Sequence, residues 1–135
     1  MVDLGPRNRV TSVSWSQKGT HLSVGTYDGQ VQIWDVQRQS MVRSMGGHTH
    51  RVSACAWSNS IVATGSKDKK IFVRDVRAQS SFIRHLQAHR QEVCGLRWSP
   101  HDDQMLASGG NDNKLMIWNV GQGNGEQPLA RFGQH

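Results

Sequence analysis

A histidine, a serine and an aspartate in the last third of the chain form the combination that serine hydrolases use. They are His89, Ser108 and Asp112. In such enzymes the histidine takes the proton of the serine hydroxyl and the aspartate orients the imidazole. However, the chain has no Gly-x-Ser-x-Gly segment. An earlier part of the chain also repeats the combination as His48, Thr64 and Asp68. An enzyme rarely repeats its catalytic set, so we predict no catalytic residue and no enzymatic activity.

A metal site is the second chemistry that the residue types suggest. Among the seven histidines, only His48 and His50 form a close pair. No set of cysteines or carboxylates near them completes a tetrahedral site, so we predict a surface loop there and expect no metal and no cofactor. The glycine pairs Gly109-Gly110 and Gly123-Asn124-Gly125 lead into no helical pattern, which indicates turns and not phosphate-binding loops.

A repeat of about 40 residues positions these side chains. Trp15 recurs as Trp57 after 42 residues and as Trp98 after 41, each time followed by serine. Three further landmarks recur in the same order. A turn with an aspartate occurs as Gly25-Thr26-Tyr27-Asp28, Gly65-Ser66-Lys67-Asp68 and Gly109-Gly110-Asn111-Asp112, and an apolar segment before an acid or amide occurs as Ile33-Trp34-Asp35, Val73-Arg74-Asp75 and Ile117-Trp118-Asn119. A small residue before histidine occurs as Gly47-His48 and Ala88-His89 and, less cleanly, as Gln134-His135. Self-similarity at such a period is the signature of a repeat architecture.

Short apolar or alternating segments separated by turn residues predict that every element is a strand. The expected strands are Val10–Ser16, His21–Gly25, Val31–Asp35, Ser40–Met45, Val52–Ser58, Ile61–Gly65, Lys70–Asp75, Ser81–Leu86, Glu92–Ser99, Gln104–Gly109, Lys114–Asn119 and Gln127–Phe132. We therefore predict an all-β fold. We divide the chain into residues 1–9, a linker or the stump of a preceding blade, and three repeats over 10–47, 48–88 and 89–135.

The landmarks resemble the WD-repeat family, which builds one four-stranded propeller blade from each repeat of about 40–45 residues. Since propellers close with about four to eight blades, three repeats predict part of a longer chain, and His135 at a repeat boundary favours this over assembly from copies. Blades stacked face to face bury both faces of each sheet. Accordingly, Trp15 and Val13 are expected to be buried, and Cys55 and Cys94 to be small interior side chains.

The WD-repeat resemblance implies a structural role for the catalytic-looking residues. In that family a histidine, a hydroxyl, an aspartate and a tryptophan form a hydrogen-bonded tetrad, here His89, Ser108, Asp112 and Trp118. The second repeat has Arg74 instead of tryptophan. The first repeat has Val24 at the hydroxyl position and no leading histidine.

Composition limits the remaining functions. The formal net charge is +6, but the basic residues are scattered and the one short run, Lys67 to Lys70, contains an acid. Aromatic residues do not alternate with basic ones on an expected exposed strand, so nucleic acid is not an expected partner. Two cysteines without a disulfide framework fit a reducing compartment. No apolar run has transmembrane length, and the first residues have no secretory pattern.

Two segments are more specific. His89–Trp98 and Ala107–Leu115 resemble the Fizzy and Fizzy-related family, whose members are activator and substrate-receptor subunits of the anaphase-promoting complex, a ubiquitin ligase of the cell cycle. Arg74 resembles the Fizzy-related branch. The resemblance implies three blades of an expected seven, placed after the first. It also implies location in the nucleus and cytoplasm.

The same resemblance implies a peptide-binding role. In the family, Lys-Glu-Asn degrons of substrate proteins dock on the top face, and Asn111 matches a contacting position; Tyr27 and Lys67 occupy the equivalent loops. The alternative for Asn111 is a turn residue chosen for its backbone tolerance. The expected partners are the anaphase-promoting complex and degron-bearing proteins, without nucleic acid, membrane or small-molecule substrate. The alternative function is a general WD-repeat scaffold outside the cell cycle.

Overall fold

The computed structural model describes residues 9–77, 84–120, 128 and 130–133. Every regular element in these ranges is a strand. The strands are β1 (Val10–Trp15), β2 (His21–Thr26), β3 (Val31–Asp35), β4 (Ser40–Met45), β5 (Val52–Ser58), β6 (Ile61–Ser66), β7 (Lys70–Asp75), β8 (Arg84–Gln87), β9 (Val93–Trp98), β10 (Met105–Gly110), β11 (Lys114–Asn119) and β12 (Ala130–Gly133).

The strands form three antiparallel sheets of four, each in chain order: β1–β4, β5–β8 and β9–β12. This confirms the predicted all-β fold of four-stranded blades. Five strands (β3, β4, β5, β7 and β11) have the predicted bounds. The first residues predicted for the fourth strands of the second and third sheets, residues 81–83 and 127, lie outside the described ranges. So do residues 1–8, the turn over 121–125 and the landmark Gln134-His135.

The sheets stack on one another through apolar faces. One cluster lies between the first and second sheets and contains Val31, Ile33, Met45, Val52, Trp57 and Val62. The larger cluster lies between the second and third sheets and contains Ala56, Ala63, Ile71, Val73, Leu86, Val93, Trp98, Leu106, Met116, Trp118 and Val120. Alternation along each strand directs one set of side chains to each neighbouring sheet.

The repeated tryptophans of the first strands tie each sheet to the preceding one. The indole of Trp57 donates to the Ser14 carbonyl at 3.2 Å, and the indole of Trp98 donates to the Ala56 carbonyl at 3.1 Å. Their counterpart Trp15 is 57% exposed, and Val13 is exposed with it. The prediction that both are buried is wrong for the described chain. The two side chains lie on the face that points toward a preceding sheet, and β1 belongs to the first described sheet, which has none before it.

The two cysteines differ, which corrects the prediction that both are interior. Cys55 is partly buried, 3.5 Å from Ser12 Oγ, and burial raises the pKa of its thiol. Cys94 is exposed. Its repeat position is that of Thr11 in the first sheet and Ser53 in the second. Thr11 donates a hydrogen bond to the Val52 carbonyl of the next sheet, and Ser53 donates one to the Val93 carbonyl of the next sheet. No described sheet follows the third one, so the thiol of Cys94 faces solvent.

Within the described ranges there is no helix with the length and apolar character needed to cross a bilayer.

Candidate functional site

Three loops lie at the same end of the three sheets, and they carry the three predicted peptide contacts. Tyr27, Lys67 and Asn111 each follow the second strand of their sheet, and all three are exposed. Each backbone N–H donates to the carbonyl that precedes the first strand: Tyr27 to Arg9 at 2.9 Å, Lys67 to Arg51 at 3.1 Å and Asn111 to Glu92 at 2.9 Å. The three side chains therefore occupy equivalent positions on one face, hereafter the loop face.

The turns of the loop face distinguish Asn111 from its neighbour Asn113. Asn113 has φ 62° and Lys69, its counterpart, has φ 75°, so this later position requires the left-handed region. Asn111 has no positive φ, and tyrosine and lysine occupy the same position in the other loops. Backbone tolerance therefore explains Asn113 and not Asn111, whose amide is exposed on the loop face.

The third sheet holds the predicted tetrad together directly beneath its loop. The Trp118 indole donates to Ser108 Oγ at 2.8 Å, and Ser108 Oγ lies 2.8 Å from His89 Nε2. His89 Nδ1 lies 3.2 Å from Asp112 Oδ1. Because the serine oxygen accepts from the indole, its own hydrogen can donate to His89 Nε2, which leaves Nδ1–H to donate to Asp112.

Asp112 connects this network to the loop face. Its carboxylate also accepts the backbone N–H groups of Arg90 at 2.9 Å and Lys114 at 3.1 Å. Although burial raises the pKa of Asp112, these hydrogen bonds and the one from His89 outweigh that effect and hold the pKa below its usual value. An ionised Asp112 thus fixes both ends of the loop that presents Asn111.

Close packing explains the second glycine of the pair in this loop. A Cβ on Gly110 would lie 2.6 Å from His89 Nδ1 and 2.7 Å from Asp112 Oδ1. Any side chain there would displace the imidazole or the carboxylate. In addition, His89 and Ser108 are buried in the described structure.

The second sheet contains the same network without its tryptophan. His48 Nε2 lies 3.0 Å from Thr64 Oγ1, and His48 Nδ1 lies 3.0 Å from Asp68 Oδ2. Asp68 accepts the backbone N–H of Thr49 at 3.0 Å and of Lys70 at 2.9 Å. The loop that carries Lys67 is therefore pinned in the same way as the loop that carries Asn111.

Arg74 takes the place of the tryptophan and is only 2% exposed. Its Nη2 donates to the Gly46 carbonyl, and its guanidinium carbon lies 5.0 Å from the centre of the Phe72 ring. Within the described structure, Nε and Nη1 have no hydrogen-bond partner. Burial, and to a lesser extent Arg43, lowers the pKa of Arg74 to about 10. This position combines a buried charge with unsatisfied donors, which is energetically costly.

The first sheet has only parts of the network. Thr26 Oγ1 donates to Asp28 Oδ1 at 2.5 Å, and the Trp34 indole donates to Gln32 Oε1 at 3.0 Å. Val24 occupies the hydroxyl position, as the sequence indicates. The indole and the turn aspartate are therefore not joined through a serine or threonine in this sheet.

Acid should destabilise the second sheet. Burial, helped by Arg74, lowers the pKa of His48 even though Asp68 opposes this shift. Backbone hydrogen bonds from Lys70 and Thr49 hold the pKa of Asp68 low although burial raises it. Both folded-state pKa values lie below the unfolded ones, so each group stabilises the fold above its own unfolded pKa, about 6.5 for a histidine and about 3.9 for an aspartate. The contribution of His48 is therefore lost first as the pH falls, and that of Asp68 only in stronger acid.

We therefore expect the thermal midpoint of unfolding to fall between about pH 7 and pH 5, as linkage requires for a histidine that is buried neutral. Differential scanning fluorimetry of the chain measures it. His48→Gln should flatten this pH dependence, whereas His50→Gln, at an exposed neighbour, should not. A midpoint that stays constant over this range would contradict the assignment of a neutral, buried His48.

One interaction on the loop face was not predicted. Arg51 Nε donates to Glu92 Oε2 at 2.9 Å and Arg51 Nη2 donates to Glu92 Oε1 at 2.8 Å. The two residues directly precede the first strands of the second and third sheets. The sequence contained a signal for this pair, because residues of opposite charge occupy the same position in consecutive repeats.

A cavity of about 560 Å³ lies between the first and second sheets at their other end. Ile33, Val42, Trp57 and Val76 form its apolar lining, and Lys18 and Arg77 lie at it. It contains none of the predicted site residues. In the described part of the chain, no group of three or more histidine, cysteine, aspartate or glutamate side chains could hold a metal ion.

Comparisons with known proteins agree with this geometry. Residues 3–60 match the model of the anaphase-promoting complex subunit 4 WD40 domain, and residues 80–119 match the model of the WD domain, G-beta repeat. The chain is similar to a solved structure described as the mitotic checkpoint complex, with a TM-score of 0.91, 39% identity, and coverage of 98% of this chain and 40% of that chain. A propeller domain of Cps50 (Swd1) from Myceliophteria thermophila, at 22% identity and TM-score 0.78, shows the same fold over 91% of this chain and 38% of its own.

Curated relatives match along the whole chain. The B-type cell cycle switch protein ccs52A of Medicago truncatula and the protein FIZZY-RELATED 1 of Arabidopsis thaliana are each 50% identical over 135 residues, which is all of this chain and 28% of each relative. The anaphase-promoting complex subunit cdc20 of Dictyostelium discoideum is 47% identical over 93% of this chain and 25% of its own length. The chain thus spans about a quarter of the length of these relatives. With three WD-type blades and this identity along its length, the chain belongs to the Fizzy and Fizzy-related family of WD-repeat proteins.

Proposed function

We propose that the chain is part of a substrate-receptor and activator subunit of the anaphase-promoting complex, and that its loop face binds degron peptides. The observation that carries the proposal is the equivalent, exposed placement of Tyr27, Lys67 and Asn111 on one face. The names of the relatives support the ligase assignment, since one of them is a subunit of that complex. In this proposal the chain recognises degron-bearing proteins and does not itself transfer ubiquitin.

The chemistry of the loop face suits a short polar peptide. The side-chain amide of Asn111 offers both a donor and an acceptor, so it can pair with the asparagine side chain or the backbone of a Lys-Glu-Asn motif. Lys67 supplies a cation for the glutamate of the motif. The ring of Tyr27 has the Arg9 guanidinium 4.4 Å from its centre, which fixes one face of the aromatic side chain.

We expect Asn111→Ala to weaken binding of a Lys-Glu-Asn peptide by about tenfold, the usual range for a well-placed polar contact at an interface. Fluorescence anisotropy with a labelled peptide measures the dissociation constant. The matched control is Gln37→Ala, which removes an exposed amide from the opposite end of the first sheet and should leave binding unchanged.

A peptide in which the three motif residues are alanine should not bind. If the chain gives the same affinity for both peptides, or if Asn111→Ala binds as tightly as the original chain, the loop face is not a degron site. A general WD-repeat scaffold would give that result.

The proposal extends to the remaining partners and to location. The chain acts on proteins, without nucleic acid, membrane or small-molecule substrate, and it works in the nucleus and cytoplasm. Phosphate contacts make the affinity for nucleic acid fall steeply with salt. Titrations with nucleic acid that show no steep salt dependence would therefore agree with protein partners and not nucleic acid. Imaging of a fluorescently tagged chain checks the location.

A further inference from the structure

The ion pair between Arg51 and Glu92 joins the two loops that carry Lys67 and Asn111. It is bidentate, with the Arg51 side chain 40% exposed and the Glu92 side chain 13% exposed. Hydrogen bonds from Arg51 hold the pKa of Glu92 below its usual value. Bidentate arginine–carboxylate pairs of this kind are geometrically specific, in contrast to most surface ion pairs.

The backbone of the same two residues holds the site side chains. The Arg51 carbonyl accepts the N–H of Lys67, and the Glu92 carbonyl accepts the N–H of Asn111. The ion pair therefore links the two residues whose carbonyls accept the N–H groups of the site residues. Each of these backbone hydrogen bonds fixes the position of one site residue. If the distance between Arg51 and Glu92 changes, the distance between Lys67 and Asn111 changes with it.

The pair also lies within reach of the charge of Lys67. Among the causes that lower the pKa of Glu92, the positive charge of Lys67 acts beside the hydrogen bonds from Arg51. A further contact ties the same strands, because Ser53 Oγ donates to the Val93 carbonyl one residue beyond Glu92. The stacking of the sheets therefore does not depend on the ion pair, and its removal should change the loop face more than the fold.

We propose that Arg51 and Glu92 are positioning residues of the loop face, and that their ion pair sets the distance between the Lys67 and Asn111 loops for a peptide that contacts both. The inference rests on the proposed function for the nature of the ligand, but the positioning of the loops can be measured without a peptide. Neither side chain needs to touch the peptide.

The test compares Arg51→Ala, Glu92→Ala and the charge swap that combines Arg51→Glu with Glu92→Arg. The control is Arg77→Ala, which removes a different ion pair, that of Arg77 Nη2 with Asp75 Oδ2 at 3.2 Å, away from the loop face. Two quantities are measured on the 135-residue chain: hydrogen exchange of the Lys67 and Asn111 amides by NMR, and the dissociation constant of a Lys-Glu-Asn peptide. The thermal midpoint is recorded for every variant.

We expect each single alanine variant to speed exchange at both amides and to weaken the peptide about fivefold, within the range of coupling effects by residues that do not touch the ligand. The swap should recover both quantities, and the control should change neither. The thermal midpoints of the two alanine variants should stay close to that of Arg77→Ala.

The outcomes separate the two proposals. Unchanged amide exchange in the single variants would overturn the positioning role, whatever the peptide does. If only Arg51→Ala weakens the peptide and the swap does not recover it, Arg51 contacts the peptide directly and the inference is wrong. If exchange responds as expected but the original chain binds no peptide, the positioning stands and the proposed function fails.

Discussion

Replacing Trp118 with alanine should lower the free energy of unfolding by about 3–5 kcal/mol, the cost of deleting a large aromatic side chain from a core. Trp118 is 1% exposed and belongs to the cluster between the second and third sheets. Its indole is also the donor that orients the Ser108 hydroxyl toward His89. The substitution therefore creates a cavity and leaves a buried polar network without one of its members, which is costly in a low-dielectric interior.

Chemical denaturation followed by circular dichroism measures this change. The matched control is Trp34→Ala, because Trp34 occupies the same repeat position in the first sheet but is only partly buried, and its indole contacts Gln32. Trp118→Phe should cost less than Trp118→Ala, since it keeps most of the ring and removes the N–H. Equal losses for Trp118→Ala and Trp34→Ala would contradict a structural tetrad in the third sheet.

Replacing Arg74 with methionine should raise the free energy of unfolding by about 1–3 kcal/mol, since apolar groups in place of buried charges are often stabilising. Arg74 is buried with Nε and Nη1 unpaired among the described residues. Methionine has similar length and can fill the space next to Phe72. The Gly46 carbonyl loses its donor, but Gly46 is exposed and water can replace it.

Thermal and chemical unfolding of the chain measure this gain. Arg97→Met is the matched control: Arg97 lies on β9 and is exposed, so its replacement should change stability little. A loss of stability in Arg74→Met larger than in Arg97→Met would show that the guanidinium stabilises the fold through its contacts with Gly46 and Phe72, in contradiction to this prediction.

Both predictions concern the tryptophan position of the networks beneath the loop face, which Trp118 fills in the third sheet and Arg74 in the second. Asp112 accepts the amides at the two ends of the Asn111 loop, and its orientation depends on His89, Ser108 and Trp118. In the second sheet, Asp68 supports the Lys67 loop in the same way, but Arg74 does not complete the network. We therefore expect the Asn111 loop to be the better ordered of the two.

Much of this protein could be predicted from local patterns. The repeat of tryptophan, glycine and aspartate positions predicts twelve short strands in three blades, and five strands have the predicted bounds. The tetrad residues could also be predicted, but from the resemblance to the WD-repeat family and not from the period alone, since Arg74 stands in the second blade where the third has Trp118. Strand alternation and turn residues are local properties of the chain, so periodicity suffices to identify them.

Other features depend on which sheet lies next to which, and only the tertiary structure decided them. Trp15 and Trp57 are equivalent in sequence, but Trp57 has a preceding sheet and Trp15 is exposed. Cys94 is exposed for the corresponding reason on the third sheet. Asn113 has a positive φ and Asn111 does not, a difference between two asparagines of one loop that the residue type does not determine.

The Arg51–Glu92 pair shows the same limit at the candidate site. The repeat aligns the two residues, but they are 41 positions apart in the chain and a whole blade lies between them. Only the stacking of the second and third sheets brings the guanidinium within 2.8 Å of the carboxylate. Periodicity in sequence determines what each blade contains, whereas contacts between blades depend on distances in space, and those contacts bury the core and arrange the loop face.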